Sequence, residues 1–187
     1  LLNSTSQSLP ILMLANLFTP ASVGFYVLAR TVLFVPTTLI GTSVGEVFYP
    51  KFVEAVRQGL SGRYLLIKAC ISLAAIGCAP YIILIIFGPS IFSTIFGENW
   101  FEAGEYARWM SAWLFVVLVT RPIVAAIPAL SLQGLFLAFE ILSTLLRIAA
   151  IFVGYLWLNT ALGAIIAFSL INIVIYAILA GWVIRKS

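Results

Sequence analysis

The sequence predicts an all-α, polytopic membrane protein, arranged as a bundle of six transmembrane helices. Of its 187 residues, 63% are hydrophobic and 9% are charged, whereas soluble domains average about 45–50% apolar and about 25% charged residues. The apolar residues form long runs, and an α-helix needs about 20 such residues to cross the hydrocarbon core of a bilayer. These runs are too long and too continuous for the strands of a membrane barrel, so each is predicted to be a helix.

The six predicted spans follow the apolar runs in chain order. They cover residues 1–18, 22–48, 64–87, 106–130, 135–158 and 161–184. Pro20, Pro50 and the Gly88-Pro89 pair end the first three spans, because proline lacks the N–H group that a helix interior requires. An even number of spans leaves both ends of the chain on one side of the membrane.

The two longest connections differ in character. Residues 51–63 alternate charged and apolar side chains, which is typical of an amphipathic helix on the membrane surface. Residues 88–105 contain three glutamates together with Trp100 and Phe101, and are predicted to form an acidic, aromatic loop.

Basic residues near the ends of the spans indicate the orientation of the chain. One side carries Lys51, Arg57, Arg63, Lys68, Arg185 and Lys186, and the other carries Arg108. Because lysine and arginine accumulate on the cytoplasmic side of membrane proteins, residues 51–63 and the C-terminus are predicted to be cytoplasmic, in the cell inner (cytoplasmic) membrane. An aromatic belt at the outer interface is then expected from Trp100, Tyr106, Trp109 and Trp113.

The composition excludes several kinds of chemistry. The sequence contains no histidine, and all six of its acidic residues are glutamates. Histidine metal centres, Ser-His-Asp triads and aspartyl-phosphate chemistry therefore lack their reagents. No metal and no cofactor are expected, and the scattered basic residues do not form the continuous run that nucleic acid would bind. The protein is predicted not to be an enzyme.

Besides Lys68 and Arg108, which lie near span ends, five charged residues lie within the predicted spans: Arg30, Glu46, Arg121, Glu140 and Arg147. Each costs at least about 2.5–3.5 kcal/mol at the centre of a transmembrane helix, so each needs water, a partner or a function. At about 1.5 Å per residue, the three arginines lie about 12–18 Å from the span ends, too deep to reach the interface easily. Glu46 lies close to an end, and we interpret it as structural.

Helical spacing predicts which way these residues face. One stripe of the fifth span, at positions i, i+3, i+4 and i+7, carries Glu140, Ser143, Thr144 and Arg147. Similar polar faces are formed on the second span by Arg30, Thr37, Thr38, Gly41 and Gly45, and on the sixth by Ser169, Asn172 and Tyr176. These faces predict a shared, water-accessible cavity with a net positive charge. The candidate substrate-binding residues are Arg30, Arg121, Arg147, Glu140, Ser143 and Thr144.

Two structural interpretations stand beside this one. Glu140 is able to neutralise Arg121 on the neighbouring helix, which would make at least one of the arginines a structural ion-pair partner. Gly41 and Gly45 have the spacing of a small-xxx-small contact between helices, and packing is the interpretation we prefer for them.

A cavity of this charge favours an anionic substrate. Arginine binds phosphate through a planar, permanently charged fork, and the attraction is larger in a cleft of low dielectric constant than in water. An exporter of cations would instead be expected to place unpaired acids in its cavity.

The second span and its exit, VGFYVLARTVLFVPTTLIGTSVGEVFYPKF, together with the stretch FGENWFEAGEYARW, resemble the oligosaccharide flippases of O-antigen (lipopolysaccharide) and exopolysaccharide assembly. These polysaccharide biosynthesis proteins belong to the multidrug, oligosaccharidyl-lipid and polysaccharide exporter superfamily. The resemblance covers nearly the whole chain.

The resemblance implies both an architecture and a function. Residues 1–187 look like a single six-helix transmembrane lobe, the C-terminal half of a twelve-helix exporter whose N-terminal lobe is missing. Its implied substrate is a polyprenyl-pyrophosphate-linked oligosaccharide, flipped to the outer leaflet by alternating access. Cavity arginines of such flippases are thought to hold the pyrophosphate, and Arg30 lies in the matching stretch VGFYVLAR.

Other functions make different demands on the sequence. A multidrug exporter of the same superfamily would share the fold but bind cations through acids. A membrane enzyme, such as a glycan polymerase or ligase, would need a base or a nucleophile near large outer loops. A purely structural membrane bundle would need no substrate.

Overall fold

The computed structural model describes residues 2–58 and 62–186, which form helices joined by short turns, with no strand among them. The helices are α1 (Leu2–Leu17), α2 (Pro20–Arg57), α3 (Gly62–Phe96), α4 (Phe101–Val119), α5 (Arg121–Ala126), α6 (Gln133–Leu158) and α7 (Ala161–Lys186). A 3-10 turn, Glu98–Trp100, precedes α4. The all-α prediction is confirmed.

Three of the described helices, α3, α6 and α7, are long and apolar enough to cross a membrane, judged by length and composition. The 19-residue helix α4 is less apolar because it includes Glu102, Glu105 and Arg108. The chain is therefore an all-α membrane protein, while the count of six spans stays a prediction.

Helix α2 extends past its predicted end at Pro50 and absorbs part of the amphipathic segment predicted at residues 51–63. A proline inside a helix leaves the carbonyl four residues earlier without its hydrogen bond. That carbonyl belongs to Glu46, and both residues are exposed, so water can bind the free oxygen. The extension is held by Phe52, whose ring is fully buried in one apolar cluster with Leu66 of α3.

Helix α3 continues through the Gly88-Pro89 pair to Phe96, so the loop predicted at residues 88–105 is wrong. Both residues of the pair are buried. A Cβ atom on Gly104 of α4 would lie 2.4 Å from the Cα atom of Pro89 and 2.7 Å from the carbonyl oxygen of Gly88. The two backbones touch at this point, and the contact outweighs the local tendency of proline to end a helix.

We expect Gly104→Ala to lower the free energy of unfolding by about 1–3 kcal/mol, because the added methyl group meets backbone atoms that cannot rotate away. Gly181→Ala in α7 is the matched control, since a Cβ atom there would meet no atom within 4 Å. Thermal unfolding of both variants in one detergent measures the difference. Equal unfolding midpoints would contradict the close contact between α3 and α4.

The fourth predicted span, residues 106–130, is broken in the structure. Thr120 separates α4 from α5 and leaves the helical conformation, with φ −88° and ψ 1°. Its hydroxyl donates to the carbonyl of Val116 at 2.8 Å. Pro122, in the first turn of α5, has no N–H group with which to continue the ladder of α4. Arg121 therefore lies at a helix break and not in the middle of a helix.

Two apolar clusters show which helix ends lie together. Phe52, Leu66 and Val183 share one cluster, so the end of α2, the start of α3 and the end of α7 are neighbours. Phe92 and Tyr106 share the other cluster, which joins the end of α3 to the start of α4. The basic residues predicted on one side thus share one end of the bundle. Which end faces the cytoplasm stays a prediction.

The aromatic belt is wrong for two of its four members. Tyr106 is fully buried, and Trp113 lines an internal cavity. Trp100 packs the edge of its ring against Phe25, with centroids 5.8 Å apart. These rings fill spaces between helices because α2 and α4 approach each other closely along this part of the bundle, a tertiary fact that their sequence positions do not reveal.

Candidate substrate-binding cavity

The three arginines predicted to lie within the membrane converge on one cavity. Arg30 reaches it from α2, Arg121 from the start of α5 and Arg147 from α6, while α4 and α7 complete the walls. The cavity has a volume of about 30 Å³, which is room for about two water molecules. The predicted shared positive cavity is therefore present in the described part of the bundle.

Arg147 is held rigidly by several neighbours. Its Nη1 donates to Oε1 of Glu140 at 2.8 Å, and its Nε donates to Oδ1 of Asn172 at 3.0 Å. Asn172 is oriented in turn by donating to the carbonyl of Phe168 at 2.7 Å. The guanidinium also lies over the ring of Tyr176, 5.9 Å from its centroid. Arg147 is 5% exposed, so this ion pair is buried. Loss of either partner would destabilise the fold, because the other charge would stay buried without compensation.

This pairing corrects the expectation that Glu140 faces Arg121. The axial separation of Glu140 and Arg147 is about 10 Å, and it suggested that the two need not meet. Both side chains are long and lie on the same stripe of α6, so they span the gap. Arg147 is consequently neutralised.

Arg121 is in a different state. Its Nε is buried and has no hydrogen-bond partner among the residues that the structure describes. A Cβ atom on Gly41 would lie 3.1 Å from this Nε, so the absence of a side chain on α2 makes room for the guanidinium. Gly41 serves this purpose in addition to packing, while Gly45 lies among the residues whose surroundings are not described.

Arg30 packs its guanidinium over the ring of Phe34, 5.5 Å from the centroid, a cation–π contact typically worth about 0.5–1 kcal/mol when exposed. Within residues 2–58 and 62–186, neither Arg30 nor Arg121 has a carboxylate at ion-pair distance. Three guanidinium groups therefore line the described cavity, and one carboxylate, that of Glu140, pairs with one of them.

The remaining predicted site residues do not reach the cavity. Ser143 is buried and Thr144 is half-buried, with its hydroxyl donating to the carbonyl of Glu140 at 2.8 Å, and neither is part of the cavity wall. Thr37 on α2 shares a hydrogen bond with the hydroxyl of Tyr81 on α3, which joins two helices. The polar stripes therefore mark interior faces, and only part of each stripe faces the cavity.

Aromatic and apolar residues, which the polar stripes do not predict, also line the cavity. Trp113 packs edge-on against Phe168 at 5.8 Å, and its indole N–H is buried without an acceptor among the described residues. Trp113 lies eight positions before Arg121, and Tyr26 lies eight positions before Phe34. Residues at this spacing lie on similar faces of a helix, so the spacing itself indicates that these side chains face the same interior space. No cluster of three metal-ligating residues occurs in the part of the chain that the structure describes.

Part of this cavity lies in a region of the chain that matches a known protein family. A family described as "Polysaccharide biosynthesis protein" matches residues 1–105, more than half of the 187 residues. The chain belongs to this family. No curated protein and no solved structure matches it.

Membership of the polysaccharide biosynthesis family supports, in general terms, a flippase or exporter type of role for this membrane protein. The match includes Arg30 and ends before Arg121 and Arg147. The resemblance beyond residue 105 stays a prediction, and the roles of the last two arginines depend on the geometry of the cavity.

Proposed function

We propose that this polysaccharide biosynthesis protein is one six-helix lobe of a transporter. Its cargo would be a polyprenyl-pyrophosphate-linked oligosaccharide, moved from the inner to the outer leaflet of the cytoplasmic membrane for assembly of surface polysaccharide such as O-antigen or exopolysaccharide. The observation that carries this proposal is the convergence of Arg30, Arg121 and Arg147 on one cavity. An unpaired cation in a buried site is expensive, and a bound diphosphate would neutralise it.

The cavity favours a diphosphate for chemical reasons. Guanidinium groups match phosphate oxygens with paired N–H donors, and such charge-assisted bonds are about twice as strong as neutral ones. Arg30 and Arg121 are proposed to bind the diphosphate directly. Arg147, fixed by Asn172 and neutralised by Glu140, would form a rigid wall beside them.

The size of the cavity indicates where the cargo would sit. A volume of about 30 Å³ holds about two waters and no diphosphate. The diphosphate would therefore bind at the mouth of the cavity, between this lobe and an N-terminal lobe of six further helices. Rocking of the two lobes would provide alternating access, with the polyprenyl tail in lipid and the sugars in the wet cleft. Residues 51–63 and the C-terminus would be cytoplasmic.

Reconstituted transport tests the proposal against its main alternative. The full-length transporter is placed in proteoliposomes with a fluorescent polyprenyl-diphosphate oligosaccharide, and a membrane-impermeant glycosidase reports the sugars that reach the opposite leaflet. We expect protein-dependent flipping of this lipid and no extrusion of a lipophilic fluorescent cation by the same vesicles. Extrusion of the cation without flipping would assign the protein to the multidrug exporters. Cleavage or extension of the glycan by the protein itself, in vesicles without added glycosidase, would contradict a role without catalysis.

A further inference from the structure

A second cleft lies on the outside of the bundle, between the last turns of α2 and the first half of α3. We refer to the cleft lined by Val47, Phe48, Lys51, Leu65, Lys68, Ala69, Ser72, Leu73 and Ile76 as the α2–α3 groove. Its volume is about 490 Å³, within the range of about 300–1,000 Å³ that is usual for ligand-binding clefts. It shares no lining residue with the arginine cavity.

The groove is apolar along its length. Leu73 is 2% exposed and forms a buried part of the lining, while Val47 and Ile76 are each 61% exposed at its edges. Ile76 lies eight residues beyond Lys68 on α3, which is about 12 Å along the helix axis. A surface of this kind suits an extended hydrocarbon chain lying parallel to the helix.

The polar end of the groove is cationic. Lys51 from α2 and Lys68 from α3 both line it, both are exposed, and neither has a carboxylate at ion-pair distance among the described residues. They lie at the end of the bundle where the last turns of α2 meet the start of α3 and the end of α7. Two ammonium groups at one end of an apolar groove are complementary to a ligand with an anionic head and a hydrocarbon chain.

We propose that the α2–α3 groove binds one anionic phospholipid of the surrounding bilayer. The phosphate would lie between the ammonium groups of Lys51 and Lys68, and an acyl chain would follow the groove past Leu73 towards Ile76. A free anion would contact the two lysines and leave the apolar lining without a ligand, and an uncharged lipid would leave the two lysines without an anionic partner. The proposal concerns lipid binding outside the cavity and does not depend on which cargo the cavity carries.

Lipid binding to the purified full chain tests this proposal. Native mass spectrometry of the delipidated protein, titrated with phosphatidylglycerol, gives the affinity of the first bound lipid. We expect Lys51→Gln/Lys68→Gln to weaken this binding about 25-fold, since each basic residue near an anionic membrane surface contributes about fivefold. The matched control is Arg57→Gln/Arg63→Gln, two exposed arginines at the same end of the bundle that do not line the groove. Equal losses in both pairs would show a diffuse charged surface and overturn the proposal.

Further arms of the experiment identify the ligand. Ala69→Trp keeps both lysines and fills the groove, so we expect it to weaken phosphatidylglycerol binding as strongly as the lysine pair does. Phosphatidylcholine should bind the wild type more weakly than phosphatidylglycerol, and inorganic phosphate at equal concentration should not displace the lipid. Unchanged binding by Ala69→Trp, equal affinity for phosphatidylcholine, or displacement by phosphate would each overturn the proposal. Unfolding midpoints equal to that of the wild type confirm that the compared variants are folded.

Discussion

Arg121→Ala is expected to reduce export of surface polysaccharide about tenfold or more, because a hydrogen bond to a charged group contributes about 1.5–3 kcal/mol. The same change should leave the stability of the lobe unaltered or slightly higher. Arg121 has a buried Nε without a partner among the described residues, so its removal breaks no hydrogen bond there. Complementation of a strain that lacks the export step, with surface glycan measured by lectin binding, tests the first expectation, and thermal unfolding in detergent tests the second.

Two further variants separate the charge of Arg121 from its geometry. Arg121→Lys keeps the charge but presents a point cation in place of a planar fork, so partial export is expected. Gly41→Val keeps Arg121 itself but occupies the space 3.1 Å from its Nε, and should lower export by displacing the guanidinium. The control is Arg108→Ala, which removes an arginine whose side chain is 36% exposed and paired with Glu105 at 3.0 Å. Wild-type surface glycan in Arg121→Ala cells, with normal insertion, would remove Arg121 from the mechanism.

Glu140→Gln is expected to destabilise the fold, unlike Arg121→Ala, which should leave stability unaltered or slightly higher. The substitution keeps the size of the side chain and removes the charge that neutralises Arg147 at 2.8 Å. Loss of one partner from a buried ion pair costs about 3–5 kcal/mol, because the other charge stays buried without compensation. Unfolding of the purified protein by denaturant in mild detergent measures this loss. Glu102→Gln, an exposed carboxylate on α4, is the control and should change stability by less than about 0.5 kcal/mol.

A double-mutant cycle shows whether the loss belongs to the pair. Glu140→Gln/Arg147→Met removes both charges, and a buried pair replaced by uncharged side chains is often neutral or stabilising. We therefore expect the double variant to be more stable than Glu140→Gln, with a coupling energy of about 1–3 kcal/mol. Additive losses would mean that Arg147 is held chiefly by Asn172 and Tyr176.

Helical spacing predicted the faces of single helices well. The stripe on α6 does place Glu140 and Arg147 on one interior side, and the depth argument selected the three arginines that line the cavity. The same spacing could not say that Glu140 pairs with Arg147 in preference to Arg121. That choice depends on the reach of two long side chains and on the distance between neighbouring helices, neither of which is present in a one-dimensional pattern.

Helix ends were predicted less well, for a related reason. Proline predicts an end for α2 and for α3, yet both helices continue because tertiary contacts at Phe52 and at Gly104 hold them. At Thr120 the opposite occurs, and an apolar run predicted to be continuous is broken. A local preference of a few kcal/mol is overridden when several buried contacts favour another conformation.

The sequence by itself determined that this chain is an all-α membrane protein of the polysaccharide biosynthesis family, because hydrophobic composition, run length and family motifs are properties of the chain alone. Only the tertiary structure decided that Arg30, Arg121 and Arg147 share one cavity, that Glu140 neutralises just one of them, and that Gly41 makes room for another. Electrostatic interactions and steric fit depend on distances between residues far apart in sequence, and those distances exist only once the helices have packed.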